Sequence, residues 1–138
     1  MAQNITEEMV FQKAMTSDFT KVENLSLVGL RITSVTYGVS TLRRLSNLKE
    51  VNLANNKISQ ISSLSELKGL QTLILMGNRI KEIGALNLPV LTSLNLDNNQ
   101  ITAVSGLRGL KKLEDLSLEN NFITDASMQD VGFTLINL

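Results

Sequence analysis

Four asparagines recur at a near-constant interval and constrain most of what this chain can fold into. Asn56, Asn78, Asn99 and Asn121 stand 22, 21 and 22 residues apart. Each sits in the same frame, with a hydrophobic residue at −5, −3 and +2 and, in the first three, at +5. The frame runs Val51-x-Leu53-x-x-Asn56-x-Ile58-x-x-Ile61, then Leu73-x-Leu75-x-x-Asn78-x-Ile80-x-x-Ile83. It returns as Leu94-x-Leu96-x-x-Asn99-x-Ile101-x-x-Val104 and Leu116-x-Leu118-x-x-Asn121-x-Ile123. Self-similarity at a period of roughly 20–29 residues marks an architecture of stacked coils.

The physical content of the frame follows from its spacing. Two hydrophobic residues separated by one alternate with period two, so both face one side of a short strand. The asparagine stands where the chain turns away. Its side chain offers donors and acceptors to backbone groups that the turn leaves unpaired. One coil cannot bury its own leucines, but stacked coils share a continuous core. The four asparagines then form a structural ladder.

This pattern, over residues 22–126, resembles the leucine-rich repeat family, in the 22-residue class typified by the regulatory subunit of protein phosphatase 1. The N-terminal helix and the Gly29-Leu30-x-Ile32 opening are similar to those of spliceosomal U2 A-prime proteins, acidic nuclear phosphoproteins and axonemal dynein light chain 1. The long acidic tail of the acidic nuclear group is missing. The resemblance implies an α/β solenoid with a parallel concave sheet and short 3₁₀ or helical convex segments. It also implies a non-catalytic binding module.

Composition narrows the function classes. Thirteen basic and thirteen acidic residues balance to zero, against the basic stripe of an electrostatic nucleic-acid binder. There is no Cys and no His, which removes thiolate chemistry and the commonest general base and metal ligand. No phosphate loop or nucleophile–base pair stands out, so no catalytic, metal or cofactor residue is expected. Without an apolar run of membrane-spanning length or a basic-then-apolar leader, an intracellular, cytoplasmic protein is expected, with cytoskeletal, ciliary and nuclear settings open. The sequons at Asn4 and Asn24 are discounted on the same ground.

Taken in order, residues 1–21 read as a helical cap. Thr6 can N-cap a helix over 6–15, Glu7 and Glu8 suit its positive end, and Ile5 with Val10 has the spacing of a hydrophobic staple. The alternative is a partner-binding helix. Residues 22–126 hold five repeats, the first degenerate, with Leu30 where the asparagine should stand. Four extra residues between Val35 and Leu42, including Tyr37 and Gly38, read as a loop. Leucines at spacing three, as in Leu64, Leu67 and Leu70, predict 3₁₀ turns on the outer side. Pro89 stands where the interval shortens and tightens the outer arc. Strands are predicted near 25–27, 51–53, 73–75, 94–96 and 116–118. Residues 127–138 read as an irregular cap or, from Leu135 and Leu138, as the start of a truncated sixth repeat.

Register picks out the candidate protein-binding residues on the concave face: Val28, Glu50, Asn52, Ala54, Thr72, Ile74, Met76, Asn95, Asp97, Asp115 and Glu119. Ile74 and Met76 read as two exposed aliphatics which, near Val28 and Ala54, make an apolar centre. Asp97, Asp115 and Glu119 make an acidic end, read as a solvated patch rather than an acid–base pair or cation site. The residues after each ladder position, Arg31, Lys57, Arg79, Gln100 and Phe122, begin with a basic stripe. The reading is a scaffold, adaptor or regulatory subunit that grips a protein partner, an amphipathic or basic helix or loop, as a monomer or part of a larger chain. The alternative is a ribonucleoprotein component that binds a protein and touches RNA from the basic edge. Direct nucleic-acid and membrane binding are not expected.

Overall fold

The computed structural model describes residues 3–124, so the expectations for residues 127–138 lie outside the described residues. Five strands, β1 (Asn24–Ser26), β2 (Glu50–Asn52), β3 (Thr72–Ile74), β4 (Ser93–Asn95) and β5 (Asp115–Ser117), form one parallel sheet in chain order. The central residues Leu25, Val51, Leu73, Leu94 and Leu116 are in register and all buried. Parallel order follows from every coil running in the same sense and returning one strand spacing further on.

Each strand lies one residue earlier than the Leu-x-Leu frame placed it. Hydrogen bonds flank each strand at both ends. At the start, the Glu23 carbonyl accepts from both Lys49 and Glu50, at 2.7 and 3.0 Å, and Lys49, Gln71 and Thr92 repeat the arrangement. At the end, the Leu27 carbonyl accepts the side-chain amide of Asn56 at 2.9 Å, while the Leu27 and Gly29 N–H groups still donate to the Asn52 and Ala54 carbonyls of the next coil.

The spacing-three leucines form the outer turns as expected. Leu45 donates to Leu42 and Leu48 to Leu45, both at 3.0 Å. The same i→i+3 bonds link Leu64, Leu67 and Leu70, next to a 3₁₀ turn at Ser62–Glu66, and link Leu107, Leu110 and Leu113. Pro89 sits second in a turn closed by the Leu91 N–H on the Leu88 carbonyl at 3.2 Å, where its fixed φ suits the tighter arc.

The N-terminal helix α1 spans Glu7–Ala14, with the Thr6 hydroxyl accepting from the Met9 N–H at 3.2 Å. Ile5 and Val10 are both buried, α1 packs on β1, and the chain before it pairs with residues 33 and 34. Asp18 caps the next turn, Phe19–Lys21, and the Thr20 hydroxyl and N–H hold its carboxyl below the usual range. The segment with the four extra residues turns through Tyr37 and Gly38 into a short helical turn, α2 (Val39–Leu42), rather than forming an open loop. Gly38 precedes it, and a Cβ there would overlap the Ile5 side chain, so the insertion receives the N-terminal segment. Tyr37 takes no part in this packing and is 77% exposed.

Candidate protein-binding face

The asparagine ladder positions the face. The Nδ2 group of Asn78 donates to the Leu53, Leu75 and Met76 carbonyls at 3.0, 2.9 and 3.3 Å, and its Oδ1 accepts from Ile58 at 3.0 Å. Asn56, Asn99 and Asn121 repeat the set, each reaching one coil back. Asn56 accepts from both Leu30 and Ile32, at 3.0 Å each. Leu30 therefore needs no ladder side chain: the first coil has no earlier coil of its kind to reach.

The residue before each ladder position holds φ between 56° and 71° and is Gly29, Asn55, Gly77, Asn98 or Asn120. Glycine and asparagine tolerate this left-handed backbone best. The Asn-Asn and Gly-Asn pairs carried that signal in the sequence, and the repeat frame did not use it.

Three columns cross the strands on the concave side. One runs Asn24, Glu50, Thr72, Ser93, Asp115, and the next Ser26, Asn52, Ile74, Asn95, Ser117. The third, two residues further along, is Val28, Ala54, Met76, Asp97, Glu119. Register thus brings the expected residues together.

Their exposure departs from expectation. Ile74 and Met76 are half-buried rather than exposed, and Ala54 is buried. Val28, at 39% and in the first coil, is the most open of the four. The apolar centre is therefore a shallow floor.

The polar residues are partly committed. The Oδ1 atoms of Asn52 and Asn95 accept from the N–H groups of Ala54 and Asp97 at 3.0 and 2.9 Å. Ile74 replaces the asparagine in that column and has no oxygen to offer, so the Met76 N–H is not held this way. Asp97 accepts from the Ser117 hydroxyl and from the Glu119 N–H at 2.8 Å. This carboxylate is half-buried and fixed, while Asp115 and Glu119 are exposed. The role of Ser117 has no signal in its own repeat; register alone puts its hydroxyl against Asp97.

Beside the sheet, Arg31, Lys57 and Arg79 are exposed and Phe122 is 66% exposed. Among the described residues no group of His, Cys, Asp and Glu could hold a metal ion, and no helix is long and apolar enough to cross a membrane.

A family model described as leucine rich repeat matches residues 20–80, and one described as two copies of leucine rich repeats matches 68–109 and again 89–130. The chain belongs to the leucine-rich repeat family. Its fold is similar to a chain of the Drosophila melanogaster SNF/U2A' complex, at 28% identity and a TM-score of 0.71, over 88% of this chain and 71% of that one. The similarity to the U2 A-prime protein noted at the N-terminus thus extends over most of the repeat. Internalin C2 of Listeria monocytogenes is similar at 31% identity and a TM-score of 0.65, over 86% of this chain and 53% of that one. The chain therefore spans about half the length of this internalin. No curated protein sequence matches it significantly.

Proposed function

We propose that the concave face binds a protein element and that the chain serves as a non-catalytic scaffold or adaptor. The observation that carries this reading is the charge of the face. The chain is neutral overall, yet the ionisable residues of the three columns, Glu50, Asp97, Asp115 and Glu119, are all acidic. They adjoin the aliphatic floor of Val28, Ile74 and Met76. The element that fits is an amphipathic helix or loop, placing an apolar side chain on the floor and Lys or Arg over Asp115 and Glu119. The Drosophila similarity supports this reading, since that structure is a complex of two proteins. A sheet built on a buried asparagine ladder also has little ordering cost on binding.

The test starts from affinity purification out of source-cell extract, with mass spectrometry to identify the partner. Calorimetry then compares the wild type with Met76→Glu and Val28→Glu. Each charge set into the apolar floor should weaken binding by about 1–3 kcal/mol, the range of a contact near an interface centre. Circular dichroism checks that both variants keep the fold. Unchanged affinity in both would remove the concave face from the interaction.

A further inference from the structure

The concave reading leaves one charged surface unused. Arg31, Lys57 and Arg79 occupy the same position in three successive coils. Backbone bonds hold that row in register: the Lys57 N–H donates to the Ile32 carbonyl, and the Arg79 N–H to the Ile58 carbonyl, both at 2.8 Å. Neighbouring cations therefore sit at about the strand separation, roughly 4.8 Å between backbones. The row spans about 10 Å by the same measure.

All three side chains are exposed, and none forms an ion pair among the described residues. Arg43, Arg44 and Lys49 elsewhere are paired with Glu66, Glu7 and Glu23. Arg31 also holds φ at 56°, a conformation that Gly or Asn adopts more easily, and its guanidinium forms no ion pair among the described residues that would account for it. The edge is thus a preformed row of like charges with no ion-pair partner among the described residues.

We propose that this edge docks an acidic face of a helix on a protein partner. Pitch and charge both select it. On a helix, residues three or four apart are neighbours at about 5–6 Å, and seven residues rise about 10.5 Å. Aspartate or glutamate at i, i+3 or i+4, and i+7 therefore meets the three cations in turn. Arg31 and Arg79 offer planar forks that can grip a carboxylate through two bonds. A nucleic-acid backbone fits less well. Three cations on a neutral chain are few for a polyanion. The proposal adds a second contact surface with its own recognition chemistry, independent of the aliphatic floor.

A phage-displayed library of single helices with randomised surface positions, selected on the full chain at low salt, tests it directly. Enriched helices should carry Asp or Glu at i, i+3 or i+4, and i+7. Synthetic versions should bind more weakly as salt rises. Arg31→Glu, Lys57→Glu and Arg79→Glu together should lower affinity about tenfold or more, as three exposed pairs turn repulsive. The matching triple glutamine variant, which adds no charge, should show a smaller loss in the same direction. Selected helices without the acidic spacing, or ones that bind both triple variants within about twofold of wild type, overturn the proposal. Helices that need Met76 but not the three cations support the concave reading and overturn this one. A uridine oligonucleotide that binds more tightly than the best helix at equal salt, and is lost in the glutamine variant, reassigns the edge to nucleic acid.

Discussion

The side-chain amide of Asn56 donates to the carbonyl of Leu27, 2.9 Å away and one coil earlier. Every ladder asparagine reaches back in this way, so the hydrogen bonding of each coil is completed by its successor. A substitution in one coil therefore acts on the coil before it.

Asn78→Leu should be among the most destabilising changes in the chain. It leaves the Leu53, Leu75 and Met76 carbonyls and the Ile58 N–H to share what acceptors and donors remain. An unsatisfied buried polar group costs about 1–3 kcal/mol, so a loss of at least about 3 kcal/mol is expected. Asn121→Leu should cost less, because Asn121 is only half-buried. Urea melts of the two variants would show the order, and equal midpoints would contradict the ladder as the source of stability.

Gly106→Ala and Gly29→Ala separate steric from conformational cost. Both glycines have positive φ, at 92° and 69°. A Cβ at Gly106 would strike the Gly84 carbonyl oxygen, whereas one at Gly29 meets nothing within 4 Å. Gly29→Ala should cost about 1 kcal/mol from backbone strain alone, and Gly106→Ala clearly more, since backbone must move. Thermal denaturation should rank Gly106→Ala lower, and the reverse order would exclude the close approach of the two coils.

Gly38→Ala should loosen the N-terminal segment without touching the central coils. The added methyl overlaps Ile5 and displaces the chain before α1. The Gln3 carbonyl accepts from Thr33 at 2.9 Å, so that amide should exchange faster with solvent. The Leu53 and Leu75 amides, bonded to the Ile74 and Asn95 carbonyls of the next coil, should keep their protection. Uniform acceleration across the chain would mean that Ile5 supports the whole fold rather than one end.

Asp115→Lys with Glu119→Lys should slow association with a concave-face partner and reduce the salt dependence of its rate, because exposed charges act mainly through steering. Asp97 is a poorer choice, since its carboxylate also holds Ser117 and the Glu119 N–H. Stopped-flow association at two salt concentrations reads the effect. A change confined to dissociation would place these carboxylates inside the contact rather than at its approach.

By itself, the sequence determined the coil. Periodicity two in Leu-x-Leu, spacing three on the outer arc and the interval between Asn56 and Asn121 are local patterns, and local backbone geometry reads them directly. They carried the parallel sheet, the ladder, the Thr6 cap and the tight turn at Pro89. What a column of side chains does across coils is not local. The half-burial of Ile74 and Met76 depends on what the neighbouring coils place beside them. The hold of Ser117 on Asp97 joins residues 20 positions apart, and Gly38 receives Ile5 across a longer gap. Only stacking in three dimensions brings such pairs together, and so only the tertiary structure decided which carboxylates on the concave face are fixed and which are open.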